Sequence, residues 1–174
     1  MSHHITSEIP TDAKIAAGIL PFFDNKNKIL LGKEYRKRYD SYSWMEFGGK
    51  QEKGESLAEV ACREANEETA GTLGVQLSQV EFAELNNHYI DYYNPDSKFF
   101  YRMYCVNLDT EKPSPETFLA NSKGKDHAEM VEWEYFNAQD VLSSSDGTLP
   151  GTDVKLYSTM LKRLEKLKGN TFFL

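Results

Sequence analysis

The chain is poor in the residues that make disulfide scaffolds and thiolate metal centres. Its 174 residues include two cysteines, Cys62 and Cys105, and neither suggests a metal site or a needed disulfide. Both are read as free thiols of a reducing compartment. Long apolar runs are also missing, and no signal-peptide pattern is recognised, so the expectation is a cytoplasmic protein with no membrane partner. Positive charge is in deficit, with 20 Lys and Arg against 27 Asp and Glu for a net charge of −7. That balance argues against general binding to a phosphate backbone. It leaves a nucleotide substrate open, because a bound cation inverts the local potential. There is no internal repeat, low-complexity tract or linker. Residues 1–174 are therefore expected to form a single domain, with residues 1–12 as a loose lead-in whose His3 and His4 are given no part.

What the chain does have is concentrated between Gly48 and Gly71. Gly48-Gly49-Lys50-Gln51-Glu52-Lys53-Gly54-Glu55 is a glycine-rich loop that leads into a helix-forming segment. Ser56 with Glu59 makes a capping box, and no glycine or proline interrupts Leu57 to Thr69. Leu57, Val60 and Ala61 begin an apolar stripe at helical spacing. Continued along the helix, that stripe reaches Glu64 and Glu68, with Glu67 just beside it. Like charges gathered where a core-facing stripe should run are costly unless something cancels them. A divalent cation is the simplest such agent, and all-oxygen ligands favour Mg2+ or Mn2+. Arg63, one turn before Glu67, can hold a carboxylate by a forked hydrogen bond.

With these residues in place the segment resembles the Nudix hydrolase family. The family pattern is a glycine, five residues, a glutamate, seven residues, then Arg-Glu-apolar-x-Glu-Glu-x-Gly-apolar. Gly49, Glu55, Arg63, Glu64, Ala65, Glu67 and Glu68 match it in register. Ala70 stands where the family has glycine, and Gly71 where it has an apolar residue. That departure bears on the helix exit rather than on the chemistry.

The rest of the chain reads as follows. Lys14–Phe23 and Lys28–Glu34 form a hairpin around the turn residues 24–27, and a basic, aromatic loop spans 35–43 with Arg36, Lys37 and Arg38 in a row. That loop is solvated or else touches the substrate. Ser43–Phe47 is a short strand that brings Trp44 into the core. Val80–Ile90 and Lys98–Leu108 are β-rich, and the tyrosines and phenylalanines around them are assigned to packing, as is His88. Residues 109–126 form a long loop with a turn of helix near 116–121. Residues 128–136 form a strand, and Asn137–Leu142 a short helix. A last helix, capped by Thr152 or Asp153, runs to Lys168 and covers the core, with Lys162, Arg163 and Lys166 off its apolar face.

The resemblance implies an α/β fold, the Nudix-type α/β/α sandwich with a mixed sheet between helices. It implies a metal site of the Gly48 carbonyl, Glu64 and Glu68, with Glu67 acting directly or through water, and Mg2+ or Mn2+ as the cofactor. Arg63 would orient the carboxylates and Glu55 would close the loop end. Glu67 or Glu129 would take the proton from the attacking water, with Glu132 as second choice after Glu129. The expected reaction is hydrolysis of a diphosphate linkage in a nucleoside diphosphate derivative: a nucleoside triphosphate, a dinucleoside polyphosphate or a nucleotide sugar. Capped RNA and a homodimer stay open. Two other readings are a silent Nudix-like module that binds a nucleotide or partner, and an isopentenyl-type isomerase. The complete carboxylate set argues against both. Specificity is expected in the loops around 35–43, 86–97 and 109–128.

Overall fold

The apolar run Lys14–Phe23 becomes the central strand, β1, and buries every residue from Ala16 to Phe23. A strand covered on both faces needs no polar alternation, which explains its nearly continuous apolar sequence. The structure, a computed structural model, describes residues 9–108, 112–123 and 130–174. After a turn in which Asp24, Asn25 and Lys26 take positive φ, Lys28–Arg36 returns as β2. β3 (Ser41–Met45), β4 (Phe47–Lys50), β5 (Tyr89–Asn94), β6 (Phe99–Asn107) and β7 (Met130–Asn137) complete a seven-stranded sheet. Its order is β3-β2-β1-β6-β5, with β4 also on β1 and β7 also on β2. β1 and β6 are parallel and the other pairs antiparallel, so the sheet is mixed.

Helices cover this sheet in the expected α/β sandwich. α1 (Leu57–Glu68) lies on β1 and β4, and α2 (Leu77–Leu85) lies against α1 and β6. α3 (Pro115–Ser122) and α4 (Ala138–Ser143) pack on β7, and α5 (Ser158–Leu167) packs on β5. Trp133 stacks on Phe118 at 6.0 Å, and Trp44 meets Phe136 edge-on at 5.1 Å. Trp44 is thus a core residue, as expected.

Several boundaries differ from the sequence reading. Val80–Leu85 is helical, not extended: Gln79 accepts from the Gln76 amide to cap α2, and Val80 and Ala83 share its buried side. Apolar residues spaced by three, mixed with a phenylalanine, mimic a strand in so short a window. β5 begins only at Tyr89. The 35–43 segment is mostly sheet, because β2 runs on to Arg36 and β3 starts at Ser41. Gly48 and Gly49 lie in β4 rather than in a loop. The last helix starts at Ser158, since Thr152 is taken up in a turn where its hydroxyl donates to the Leu149 carbonyl and accepts from Val154.

Candidate active site

α1 is the scaffold of the site. The Ser56 hydroxyl accepts from the Glu59 amide and the Glu59 carboxylate from the Ser56 amide, each at 3.2 Å, so the predicted capping box is formed. Ala58, Val60, Ala61 and Ala65 anchor the helix to the sheet. At its exit Ala70 N–H donates to Glu67 O (3.1 Å) and Gly71 N–H to Asn66 O (2.7 Å), the two bonds of a Schellman turn. Ala70 holds the left-handed position at φ 50°, so the displaced glycine changes strain at the exit and leaves the helix register intact. The Asn66 amide grips both backbone groups of Val75 at 3.0 Å, fixing the loop that follows.

Between α1 and β4 on one side and α5 on the other lies a cavity of about 620 Å³. Glu64, Glu67 and Glu68 line it from α1, and Gly48, Gly49 and Lys50 from β4. The Gly48 amide donates to Glu68 Oε1 at 2.6 Å. A Cβ on Gly49 would collide with the Glu64 carboxylate, and one on Gly48 with the Tyr101 hydroxyl, so both glycines are required by close approach. Arg63 organises the outer rim. Its Nε and Nη2 donate to the two oxygens of Glu55 at 2.8 and 2.9 Å, Nη1 reaches Glu64 at 2.9 Å and Glu67 at 3.3 Å, and Nη2 also meets the Lys50 carbonyl at 3.0 Å. Glu67 is the most open of the three helix carboxylates that line the cavity, its side chain 54% exposed.

Electrostatics follow from this geometry. Arg63 holds the Glu55 carboxyl below its usual range, and Glu55 in turn keeps Arg63 protonated. Burial pushes Glu64 up against the pull of Arg63. Glu68 is pushed well up, by burial first and then by Glu34, Glu64 and Glu46, with the Gly48 amide opposing. Carboxylates therefore crowd one wall of the cavity, where a proton or a bound cation would relieve their repulsion.

Of the residues singled out in the sequence, the structure brings Gly48, Glu55, Arg63, Glu64, Glu67 and Glu68 together through hydrogen bonds. Glu129 lies outside the described residues. Glu132 sits on the surface and pairs with Lys33 at 3.6 Å, away from the cavity. Arg163, expected off the apolar face of the last helix, is 3% exposed and forms an ion pair with Glu46, itself 4% exposed. Met160, Arg163, Leu164 and Leu167 fall at i, i+3, i+4 and i+7, so helical spacing alone could have found it. Glu46, a carboxylate set between the apolar Met45 and Phe47 where β3 gives way to β4, was the matching signal. Tyr157 and Thr159 also line the cavity, and α5 is therefore a wall of the site as well as a cover for the core.

A family model for the NUDIX domain matches residues 12–159. The chain belongs to the Nudix family. Membership makes it a Nudix-type pyrophosphohydrolase. No curated protein matches the sequence. Among solved structures, a Caenorhabditis elegans Ap4A hydrolase in a binary complex is similar at TM-score 0.55 and 17% identity, covering 90% of this chain and 96% of that one. The MutT protein of Methanosarcina mazei Go1 gives TM-score 0.55, 17% identity and coverage of 90% and 93%. A Nudix hydrolase of Nitrosomonas europaea gives 0.52, 19%, and 90% and 73%. At these identities the likeness establishes the fold. No helix among the described residues is long and apolar enough to cross a membrane.

Proposed function

We propose that this Nudix enzyme hydrolyses a diphosphate linkage in a nucleoside diphosphate derivative, of the nucleoside triphosphate, dinucleoside polyphosphate or nucleotide sugar class, with Mg2+ or Mn2+ as cofactor. One observation carries this reading: the partly buried Glu68 is held by the Gly48 amide inside a cavity that Glu34, Glu46 and Glu64 also line. Among the described residues no three His, Cys, Asp or Glu side chains stand together as a ready-made metal cage. Mg2+ needs no such cage, because it keeps several waters and is bound through one or two carboxylates plus substrate phosphates. Glu64, Glu68 and the Gly48 carbonyl would hold it, with Glu67 joining directly or through water. Bound there, the ion would neutralise phosphate oxygens and acidify a water.

The remaining steps belong to the chain's own groups. Arg63 keeps Glu55 and Glu64 in place through charge-assisted bonds, so the carboxylates are set before substrate arrives. Gly49 lets the strand backbone pass close to Glu64. Glu67, open to solvent at the rim, accepts the proton as water attacks phosphorus in line. Two phosphate-ended products leave.

The test is a phosphate-release screen over nucleoside triphosphates, dinucleoside polyphosphates, nucleotide sugars, ADP-ribose and capped RNA, with Mg2+ and with Mn2+, product masses locating the broken bond. Turnover of one class with cleavage between phosphates supports the reading. Saturable nucleotide binding with no hydrolysis across the panel overturns it in favour of a silent module.

A further inference from the structure

Gly18 and Gly48 are partners across the antiparallel β1–β4 pairing. Over residues 16–19, β1 carries β4 along one edge and β6 along the other, so Tyr101 of β6 must cross β1 to reach Gly48. It does so. A Cβ on Gly18 or on Gly48 would collide with the Tyr101 hydroxyl, which therefore sits in a notch that only two facing glycines leave open. An aromatic ring folded over strand glycines restores the packing that a missing side chain forfeits. Phenylalanine would do that without burying a polar atom, yet the residue here is a tyrosine, only 7% exposed.

Successive residues of a strand present to opposite faces, and Gly48 and Gly49 are met from both. The Tyr101 hydroxyl stops Gly48 on one face, and the Glu64 carboxylate stops Gly49 on the other. Lacking side chains at these two positions, β4 takes its level from the two stops. That level matters because the Gly48 amide donates to Glu68 Oε1 at 2.6 Å, a charge-assisted bond sensitive to small displacements. The Tyr101 ring is held in turn. The Arg163 guanidinium lies over it at 4.2 Å, and Arg163 is fixed by its ion pair with Glu46, two residues before Gly48. Glu46 and Arg163 are both buried, so the brace is part of the interior.

We propose that Tyr101 is a positioning residue of the hydrolase: its hydroxyl, braced by Arg163 and Glu46, sets the level of Gly48 and with it the placement of the Glu68 carboxylate and the Gly48 carbonyl. The inference rests on the pyrophosphohydrolase reading, in which those two groups hold the cation. In this role Tyr101 touches neither ion nor substrate and acts through the strand. Removing its oxygen frees Gly48 to sink toward the ring and draws its amide away from Glu68. Ligands displaced in this way still bind a cation, but less tightly.

The experiment compares wild type with Tyr101→Phe and with Tyr104→Phe. Tyr104 is also buried and would also lose a hydroxyl bond, to Glu84 at 2.7 Å, but it does not line the cavity, so it reports what a merely structural loss does. Three quantities are read: the Gly48 amide proton shift of metal-free protein by nuclear magnetic resonance, Mn2+ affinity by electron paramagnetic resonance, and kcat and KM on a substrate from the phosphate-release screen. In Tyr101→Phe the Gly48 proton should move upfield as its bond to Glu68 lengthens. Mn2+ should bind at least about tenfold more weakly, and kcat should fall at least about tenfold with KM changed less. Tyr104→Phe should melt earlier and match wild type in all three. An unmoved Gly48 proton, unchanged Mn2+ affinity or unchanged kcat in Tyr101→Phe overturns the proposal and leaves the hydrolase reading intact, as does a Tyr104→Phe that behaves the same way. If wild type turns over no substrate, that failure belongs to the hydrolase reading, and the Gly48 proton and the Mn2+ affinity still decide on Tyr101. Should Tyr101→Phe fail to melt cooperatively, Arg163→Lys, which keeps the charge and loosens the brace, is read by the same three quantities.

Discussion

The backbone amide of Gly48 donates to Glu68 Oε1 at 2.6 Å, tying the last residue of α1 to strand β4. A carboxylate is thereby fixed by the fold in a place where burial and three other carboxylates, Glu34, Glu64 and Glu46, oppose its ionisation. Stability is spent at this point to keep negative charge in position.

The first prediction concerns pH. The raised folded-state pKa of Glu68 contributes stability that is fully present below the usual glutamate range and is lost as pH rises through the raised value. Glu55, held low by Arg63, works in the opposite sense and is lost as pH falls. In chelator, Glu68→Gln should therefore melt at least about 2 °C above wild type near neutral pH, the shift that about 1 kcal/mol produces in a domain of this size. The difference should close near pH 4. Thermal denaturation monitored by circular dichroism checks it; a variant less stable than wild type at neutral pH would count against the like-charge account.

Gly49→Ala tests the close approach of β4 to α1. The new methyl group would occupy the space of the Glu64 carboxylate and turn that side chain away. Turnover should fall at least about a hundredfold with a modest loss of stability. Steady-state kinetics beside a melting curve separates the two effects, and near-normal turnover would show that Glu64 need not sit where it does.

Arg63→Lys keeps the charge and removes the fork. Glu55 loses one of its two bonds from Arg63, and Glu64 and Glu67 lose their shared donor. Lysine offers a point charge that cannot reproduce this geometry. The variant should lose at least about tenfold in kcat with substrate KM changed less, in keeping with carboxylates that are present but misaligned.

Ala70→Gly should stabilise. Ala70 sits at φ 50° in the Schellman turn, where a Cβ costs about 1–2 kcal/mol, and glycine returns part of that gain as unfolded-chain entropy. A net increase of about 0.5–1 kcal/mol in urea unfolding, with unchanged activity, is expected.

How far the sequence could be read depended on how local each signal was. The α1 cluster was legible because Ser56, Glu59, Arg63, Glu64, Glu67 and Glu68 lie within one helix and its cap, where spacing alone determines who faces whom. The hairpin and β6 were legible from their apolar content. The α2 segment was misread because its nine residues suit either period. The Glu46–Arg163 pair joins residues 117 positions apart, and pairing at that range requires the fold to bring α5 to the junction of β3 and β4. Arg36 was visible as one of three consecutive basic residues, yet only the extension of β2 shows that it, rather than Lys37 or Arg38, lines the cavity.

The central claim is that Glu64 and Glu68 line the cavity in order to hold a divalent cation. Its most direct test is a Mn2+ titration of metal-free protein followed by electron paramagnetic resonance, comparing wild type, the double variant Glu64→Gln/Glu68→Gln, and the surface control Glu81→Gln. Saturable binding that weakens at least about tenfold in the double variant and is unchanged in the control is the predicted result. Equal affinity in all three proteins would contradict the account.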